Sequence, residues 1–316
     1  MKIVGVDLGG TKILGRIVDV DTGASIGRKK VPTPRSGPAD VLTAVVELVH
    51  SLEASALDPS EKIGAIGLGL PGLVTVDGVV DRCPNVSGWD QPVAVAEILT
   101  KRLGRPVAVA NDVNCGAVAE HRVGAGRGVD DLMAVFVGTG VGGGLVFGGQ
   151  LVAGSRGMAG EIGHITVVDD GRVCGCGERG HLEAYAGRAG IEREARRLVA
   201  GGRTSKLVEL AGDSPIKSRH LSDALGAGDE IAHELIDQAV AALAIGIGNA
   251  ATLLDLPRVV LGGGVVDKLG QPFLDQISGS LSFGGFGPTV VDLVLAQRLD
   301  DAGVVGAALL AADRLR

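Results

Sequence analysis

The sequence predicts an α/β chain with mixed sheets, organised as two domains. Three observations carry that expectation. Short apolar β-type runs alternate with stretches of helical period along the whole chain. A strand, a glycine turn and a second strand occur twice, at residues 4–19 and 134–152, with slight identity but the same order of elements. The length, 316 residues, exceeds what a single hydrophobic core usually serves.

The elements follow in order. Lys2 to Asp7 is an apolar run that ends in Leu8-Gly9-Gly10-Thr11-Lys12, and Ile13 to Val20 resumes it. The pair predicts a hairpin whose glycine tip presents backbone N–H groups. Ala39 to Leu57 places Val41, Val45, Leu48, Val49 and Leu52 on one helical face. Lys62 to Leu70 reads as a short buried strand ending at Pro71-Gly72, and Ala94 to Leu103 as a helix. Pro106 to Ala110 is a strand ending at Asn111-Asp112, with a helix from there to about Gly124. The opening pattern then returns as strand Leu132 to Val137, a glycine turn from Gly138 to Gly144, and strand Leu145 to Val152. Helices are expected near 187–200, 219–226, 229–254 and 271–281, strands near 258–261 and 289–296, and a final helix from Ala302 to Leu315.

Composition narrows the function classes. Aromatics are only 2% of the chain, so Val, Leu, Ile and Ala must fill the core. The 52 glycines exceed twice the usual ~7% and cluster without period, which points to tight loops that contact phosphate or sugar. Net charge is −7 and the longest basic run is Arg28-Lys29-Lys30, which argues against a nucleic-acid partner. The longest apolar stretch, Ala239 to Leu254, is interrupted by Asn249 and Thr252 and reads as a buried helix rather than a membrane partner. The N-terminus enters a strand with no leader. Four cysteines, two of them spaced C-x-C, suit a cytoplasmic metal binder better than a disulfide scaffold.

The candidate chemistry sits in a few segments. Asp7 precedes the turn Gly9-Gly10-Thr11-Lys12, whose spacing is not that of a Walker loop but whose amides can approach an anion. Asp7 there suits a hydrated Mg²⁺, and an ordinary hairpin with a glycine tip is the plainer reading. Gly138-Thr139-Gly140 and Gly262-Gly263-Gly264 repeat the arrangement after other strands, the last of them a strand-to-helix turn able to seat part of a nucleotide. Asp112 has two readings, a helix cap and a general base for an attacking hydroxyl. Glu161, His164 and Glu183 are hydrogen-bonding groups of the kind that read a sugar's vicinal hydroxyls, and solvated loop residues are the plainer reading. Cys174 and Cys176, with His164 and His181, offer four ligands for tetrahedral zinc, although C-x-C is tighter than the common C-x₂-C. Cys83 and Cys115 read as buried small apolar residues.

Together these segments, with Pro84-Asn85 and Gly88-Trp89, resemble the ROK family of sugar kinases over essentially the whole chain. The resemblance implies the actin-like, ribonuclease H-like ATPase fold, two domains closing on a cleft. It implies domains of residues 1–112 plus 302–316 and of 113–301, the latter with a zinc loop and a dimerisation surface. The implied activity is ATP-dependent, Mg²⁺-assisted phosphorylation of a hexose 6-hydroxyl, with glucose foremost. An N-acetylhexosamine kinase and a sugar-sensing regulator without catalysis are the alternatives. Asp112 matches the family's base. Asn111, Glu161, His164 and Glu183, with Gly72 and Asn85, match its sugar-binding positions. Residues 9–12, 138–140 and 262–264 match its nucleotide turns. His164 would serve the sugar with one ring nitrogen and zinc with the other. His181 departs from the pattern, since cysteine is usual there. A homodimer or dimer of dimers is expected.

Overall fold

The computed structural model describes the chain apart from residues 58–60, 84–85, 283–290, 298–300 and 316. Asn85 therefore lies outside the described residues. Strands β1 (Lys2–Leu8), β2 (Lys12–Asp19) and β3 (Ser25–Pro32) lead into α1 (Pro38–Ala56), then β4 (Ile66–Leu70), β5 (Leu73–Val74) and β6 (Val80–Arg82). Next come α2 (Val95–Leu103), β7 (Val107–Asn111), α3 (Asp112–Val123), β8 (Leu132–Val137), β9 (Val141–Phe147) and β10 (Gln150–Val152). A 3₁₀ turn at Ile162–His164 precedes α4 (Glu183–Ala186), α5 (Arg188–Ala200), α6 (Lys206–Ala211), α7 (Ser218–Gly226) and α8 (Glu230–Leu254). The chain ends with β11 (Arg258–Gly262), α9 (Gly264–Ser280), β12 (Asp292–Leu295) and α10 (Ala302–Asp313).

Two compact units emerge, one of residues 1–130, 144–159 and 300–316, the other of 131–143 and 160–299. The repeated hairpin is part of a larger repetition. One five-stranded sheet runs β3-β2-β1-β4-β7 and the other β10-β9-β8-β11-β12. In the first, β1 pairs antiparallel with β2 and parallel with β4, which pairs parallel with β7. In the second, β8, β11 and β12 are parallel and β9 pairs antiparallel with β10.

In the first unit, side chains alternate across the sheet as the strand period requires. Val4, Val6 and Leu8 join the core under α1 and α2, whereas Ile3 faces α3 and α10. Gly5 and Asp7 continue the Ile3 row. Gly5 is paired with Gly67 of β4, and a Cβ on either would fall within 2.0 Å of a carbonyl oxygen of α10, Val304 O or Ala307 O. Gly306 does the same for α3, since its Cβ would lie 1.7 Å from Cys115 O. Helix α10 is thus clamped between sheet and α3 by three missing side chains, and residues 113–130 group with the first unit through that contact.

Three expected boundaries shift. The second glycine turn ends at Gly140, because β9 already begins at Val141 and carries Gly142 to Gly144 within it. Helix α9 starts at Gly264 instead of near 271, with Gly270 (φ 64°) and Pro272 breaking its regularity. Strand β3 was not expected because almost all of it is exposed, leaving no alternating apolar face to read. Helix α8 is, among the described helices, the one long and apolar enough to cross a membrane by length and composition, and the expectation of a buried helix there holds. Most of it is buried, with Leu235, Leu243 and Ile247 fully so.

Gly67→Ala is expected to destabilise the chain by at least about 3 kcal/mol in urea unfolding, since backbone rather than a flexible side chain must yield. Gly104→Ala, at a left-handed helix end with nothing within 4 Å, should cost only about 1 kcal/mol. Equal losses would refute the clamp.

Candidate active site

In the first unit the sequence-predicted residues collect at the carboxyl-terminal edge of three parallel strands. Asp7 lies near the end of β1, opposite Gly69 of β4, and Gly69 is opposite Ala110 of β7. Asn111 closes β7 and Asp112 opens α3. The cap of α3 is Asn111. Its Oδ1 accepts from the amides of Val113 (2.9 Å) and Asn114 (3.3 Å), while its Nδ2 donates to Gly72 O at 3.1 Å. Asp112 is therefore the first helical residue rather than the cap, and its carboxylate accepts one local bond, from Val113 N at 2.9 Å. A second oxygen is left for chemistry.

Both carboxyls are partly buried, and that burial raises the proton affinity of each. Burial first and the charge of Asp112 second push Asp7 up to about 6, against the opposing pull of Lys12. Burial likewise raises Asp112, against its own backbone hydrogen bonds. Behind them Cys115 is fully buried, its thiol held neutral by burial and by both aspartates. Gly303 is close enough that a Cβ would sit 3.1 Å from Asp7 Cγ. Two acids in so little solvent form a site that a cation neutralises. The adjoining turn is braced from outside, with Thr33 donating through Oγ1 to Gly9 O (2.6 Å) and through its amide to Thr11 O (3.2 Å). Gly10 and Thr11 N–H have no backbone acceptor among the described residues.

In the second unit the organising residue is Val141, which lay inside the expected glycine turn without a role of its own. Its amide donates to Glu183 Oε2 at 3.0 Å, and its carbonyl is approached so closely by Gly163 that a Cβ there would lie 2.0 Å away. Gly140 is required by the same carboxylate, 2.1 Å from where its Cβ would stand. The turn bearing Glu161 and His164 is thus docked on the first residue of β9. Glu183 Oε1 accepts from the Cys174 thiol at 3.6 Å, so this carboxylate links the glycine turn to the cysteine loop. Each oxygen retains a lone pair for a further donor. Thr139 is fixed by Arg188, whose Nη2 donates to its Oγ1 at 2.7 Å, and the amides of Arg188 and Ala189 hold Gly138 O and Thr139 O. Arg188 was missed because nothing local distinguishes it from the other arginines of α5. Gly263, left-handed at φ 93°, caps α9 against the backbone of Val137 and so brings the turns at 138–140 and 262–264 together.

The four proposed metal ligands meet. One ligand atom each from His164, Cys174, Cys176 and His181 lies within 4.8 Å of the others. Cys174 Sγ is 3.9 Å from His164 Nδ1 and Cys176 Sγ is 3.3 Å from His181 Nδ1. Tetrahedral zinc at ~2.0–2.3 Å from its ligands separates them by a little under 4 Å, so the donor set fits with slight contraction. A tight turn, with Gly177 N donating to Cys174 O, presents both thiols, and Gly180 avoids a clash with Val168 O. His181 is within the cluster despite its longer side chain. With His164 Nδ1 turned to the thiols, Nε2 is the nitrogen left for a substrate.

The sign of the Asp7 shift yields a prediction. A carboxyl whose folded pKa is about 6 against an ordinary 3.8 binds its proton more tightly folded than unfolded. Stability then falls as pH rises through that window, by up to about 3 kcal/mol. Asp7→Asn should raise the unfolding free energy at pH 7.5 by about 1–3 kcal/mol and give little advantage near pH 4. An advantage independent of pH would contradict the assignment.

Residues 3–314 match the family model of the ROK family. A glucokinase from Streptomyces coelicolor is 34% identical, over 98% of this chain and 96% of its own. An N-acetyl-D-glucosamine kinase from Pectobacterium atrosepticum is 33% identical, over 97% of each. The crystal structure of a ROK family glucokinase from Streptomyces griseus in complex with glucose and AMPPNP superposes with TM-score 0.80 at 34% identity, covering 99% of this chain and 100% of that one. The chain belongs to the ROK family and has its actin-like, ribonuclease H-like ATPase fold of two domains.

Proposed function

We propose that this protein transfers the γ-phosphoryl group of ATP to the 6-hydroxyl of glucose, with Asp112 as general base. The observation that carries the reading is the division of labour at the start of α3. Asn111 takes the capping role, and the partly buried Asp112 carboxylate accepts from Val113 N through Oδ1, leaving Oδ2 for a substrate proton. Its raised proton affinity suits a group that must accept a hydroxyl proton as the oxygen attacks phosphorus in line. Asn111, Glu161, His164 through Nε2, and Glu183 hold the sugar's hydroxyls, with Gly72 as a further sugar-binding position. The amides of the turns at 9–12 and 138–140 and the start of α9 take the phosphates and adenosine. Asp7 suits a hydrated Mg²⁺, which when bound neutralises phosphate charge and relieves the burial of both acids. Zinc suits the His164, Cys174, Cys176 and His181 set, where it fixes the imidazole that faces the sugar. A homodimer or dimer of dimers, carried by the family resemblance, and a cytoplasmic location, carried by the cysteine usage, are part of the same proposal. The N-acetyl-D-glucosamine kinase relative favours one second reading, an N-acetylhexosamine substrate on the same residues.

A hexose panel with ATP and Mg²⁺ tests substrate choice. The expected outcome is the highest kcat/KM with glucose, and preference for N-acetylglucosamine or N-acetylmannosamine would install the second reading. Asp112→Asn should keep sugar affinity and lose at least about 10³-fold in kcat; near-normal turnover removes Asp112 as base. Metal analysis should find about one zinc per chain, lost or weakened in His181→Ala. Zinc content unchanged by that substitution would drop His181 from the ligand set.

A further inference from the structure

The segments that carry Cys174 and Glu183 have a second face. There Arg172, Val173, Ala184, Arg193, Glu194 and Arg197 line a cavity of about 320 Å³ that neither the sugar nor the metal uses. Three guanidinium groups meet a single carboxylate, so the lining carries an excess of two positive charges. That carboxylate is engaged already, since Arg197 donates to both oxygens of Glu194 at 2.8 and 2.7 Å. The Arg172 guanidinium lies 4.8 Å from the centre of the Tyr185 ring, with Nη2 donating to Gln238 and 3.6 Å from Glu194. Its Nη1 is buried and has no hydrogen-bond partner among the described residues. Arg193 is exposed and forms no ion pair among the described residues; one weak contact, Nη2 to Val173 O at 3.5 Å, leans it over the cavity.

A buried cationic N–H without an acceptor is costly, and the arrangement is relieved by an oxyanion. Two guanidinium forks, one fixed by ring stacking and one mobile, match the several terminal oxygens of a phosphate better than a single carboxylate. Val173 and Ala184 add an apolar floor, and the volume admits a small organic body. We propose that this cavity binds a phosphate monoester, with Arg172 and Arg193 as the clamp. Arg172 and Val173 directly precede the ligand Cys174, and Ala184 directly follows Glu183. A bound ester therefore braces both ends of the loop that carries the metal ligands.

Calorimetric titration of the zinc-loaded protein, with its nucleotide turns saturated by Mg²⁺ and a non-hydrolysable ATP analogue and with glucose in excess, tests this directly. Hexose 6-phosphate should bind saturably, and inorganic phosphate more weakly. Arg193→Ala should weaken the ester at least tenfold while leaving zinc content and basal turnover unchanged, and Arg172→Met should do the same to affinity. Because Arg193 is exposed, its variant keeps the test decisive even where the Arg172 variant misfolds. No saturable binding, or ester affinity indifferent to Arg193→Ala, overturns the proposal.

Discussion

The Asn111 cap is the interaction on which the first half of the site depends. A helix start leaves amides that need acceptors, and the residue that supplies them has its side chain committed. Asn111 meets that demand with one oxygen and secures Gly72 with its amide nitrogen. The next residue, Asp112, is thereby released from structural duty while still held at the strand edge beside Asp7. Two partly buried acids that both resist ionisation are an unfavourable pair by themselves. Under the proposed function, the same raised proton affinities suit the place to a cation and to a proton in transit.

Precision elsewhere comes from absent side chains. Gly5, Gly67 and Gly306 let α10 and α3 approach the sheet that carries the two aspartates. Gly140, Gly143 and Gly163 let the turns of the second unit close on the start of β9, so that Val141 joins the glycine turn, the His164 turn and Glu183. Much of the glycine richness therefore serves close backbone approach. It serves the ligand indirectly, by fixing where carboxylate and imidazole stand.

How much of this could be read in advance depended on the kind of signal. The hairpins, parallel strands and amphipathic α1 were legible because apolar periodicity reports burial, and burial built them. The grouping of His164, Cys174, Cys176 and His181 was legible because the donors are chemically distinctive and close in sequence. The beginning of β9 was hidden because Gly142 to Gly144 look like turn residues until Gly160 and Ala117 are seen pressing on them. The true start of α9 was hidden by Gly270 and Pro272, which interrupt the pattern without ending the helix. Val141 and Arg188 act through a backbone amide and a long-range side-chain bond, and neither leaves a trace in local sequence. Asn111 and Asp112 were recognised as a pair, but which of them caps the helix is settled by geometry alone.

The proposed function rests on Asp7 and Asp112 being a partly buried pair of acids with raised proton affinity. The most direct measurement is carboxyl-carbon NMR titration of both residues, without ligand and then with Mg²⁺ and a non-hydrolysable ATP analogue. The account predicts that both titrate above the ordinary carboxylate range in the free protein, Asp7 near 6, and that Asp7 falls when Mg²⁺ and nucleotide bind. Ordinary values for both in the free protein, unmoved by Mg²⁺ and nucleotide, would contradict it.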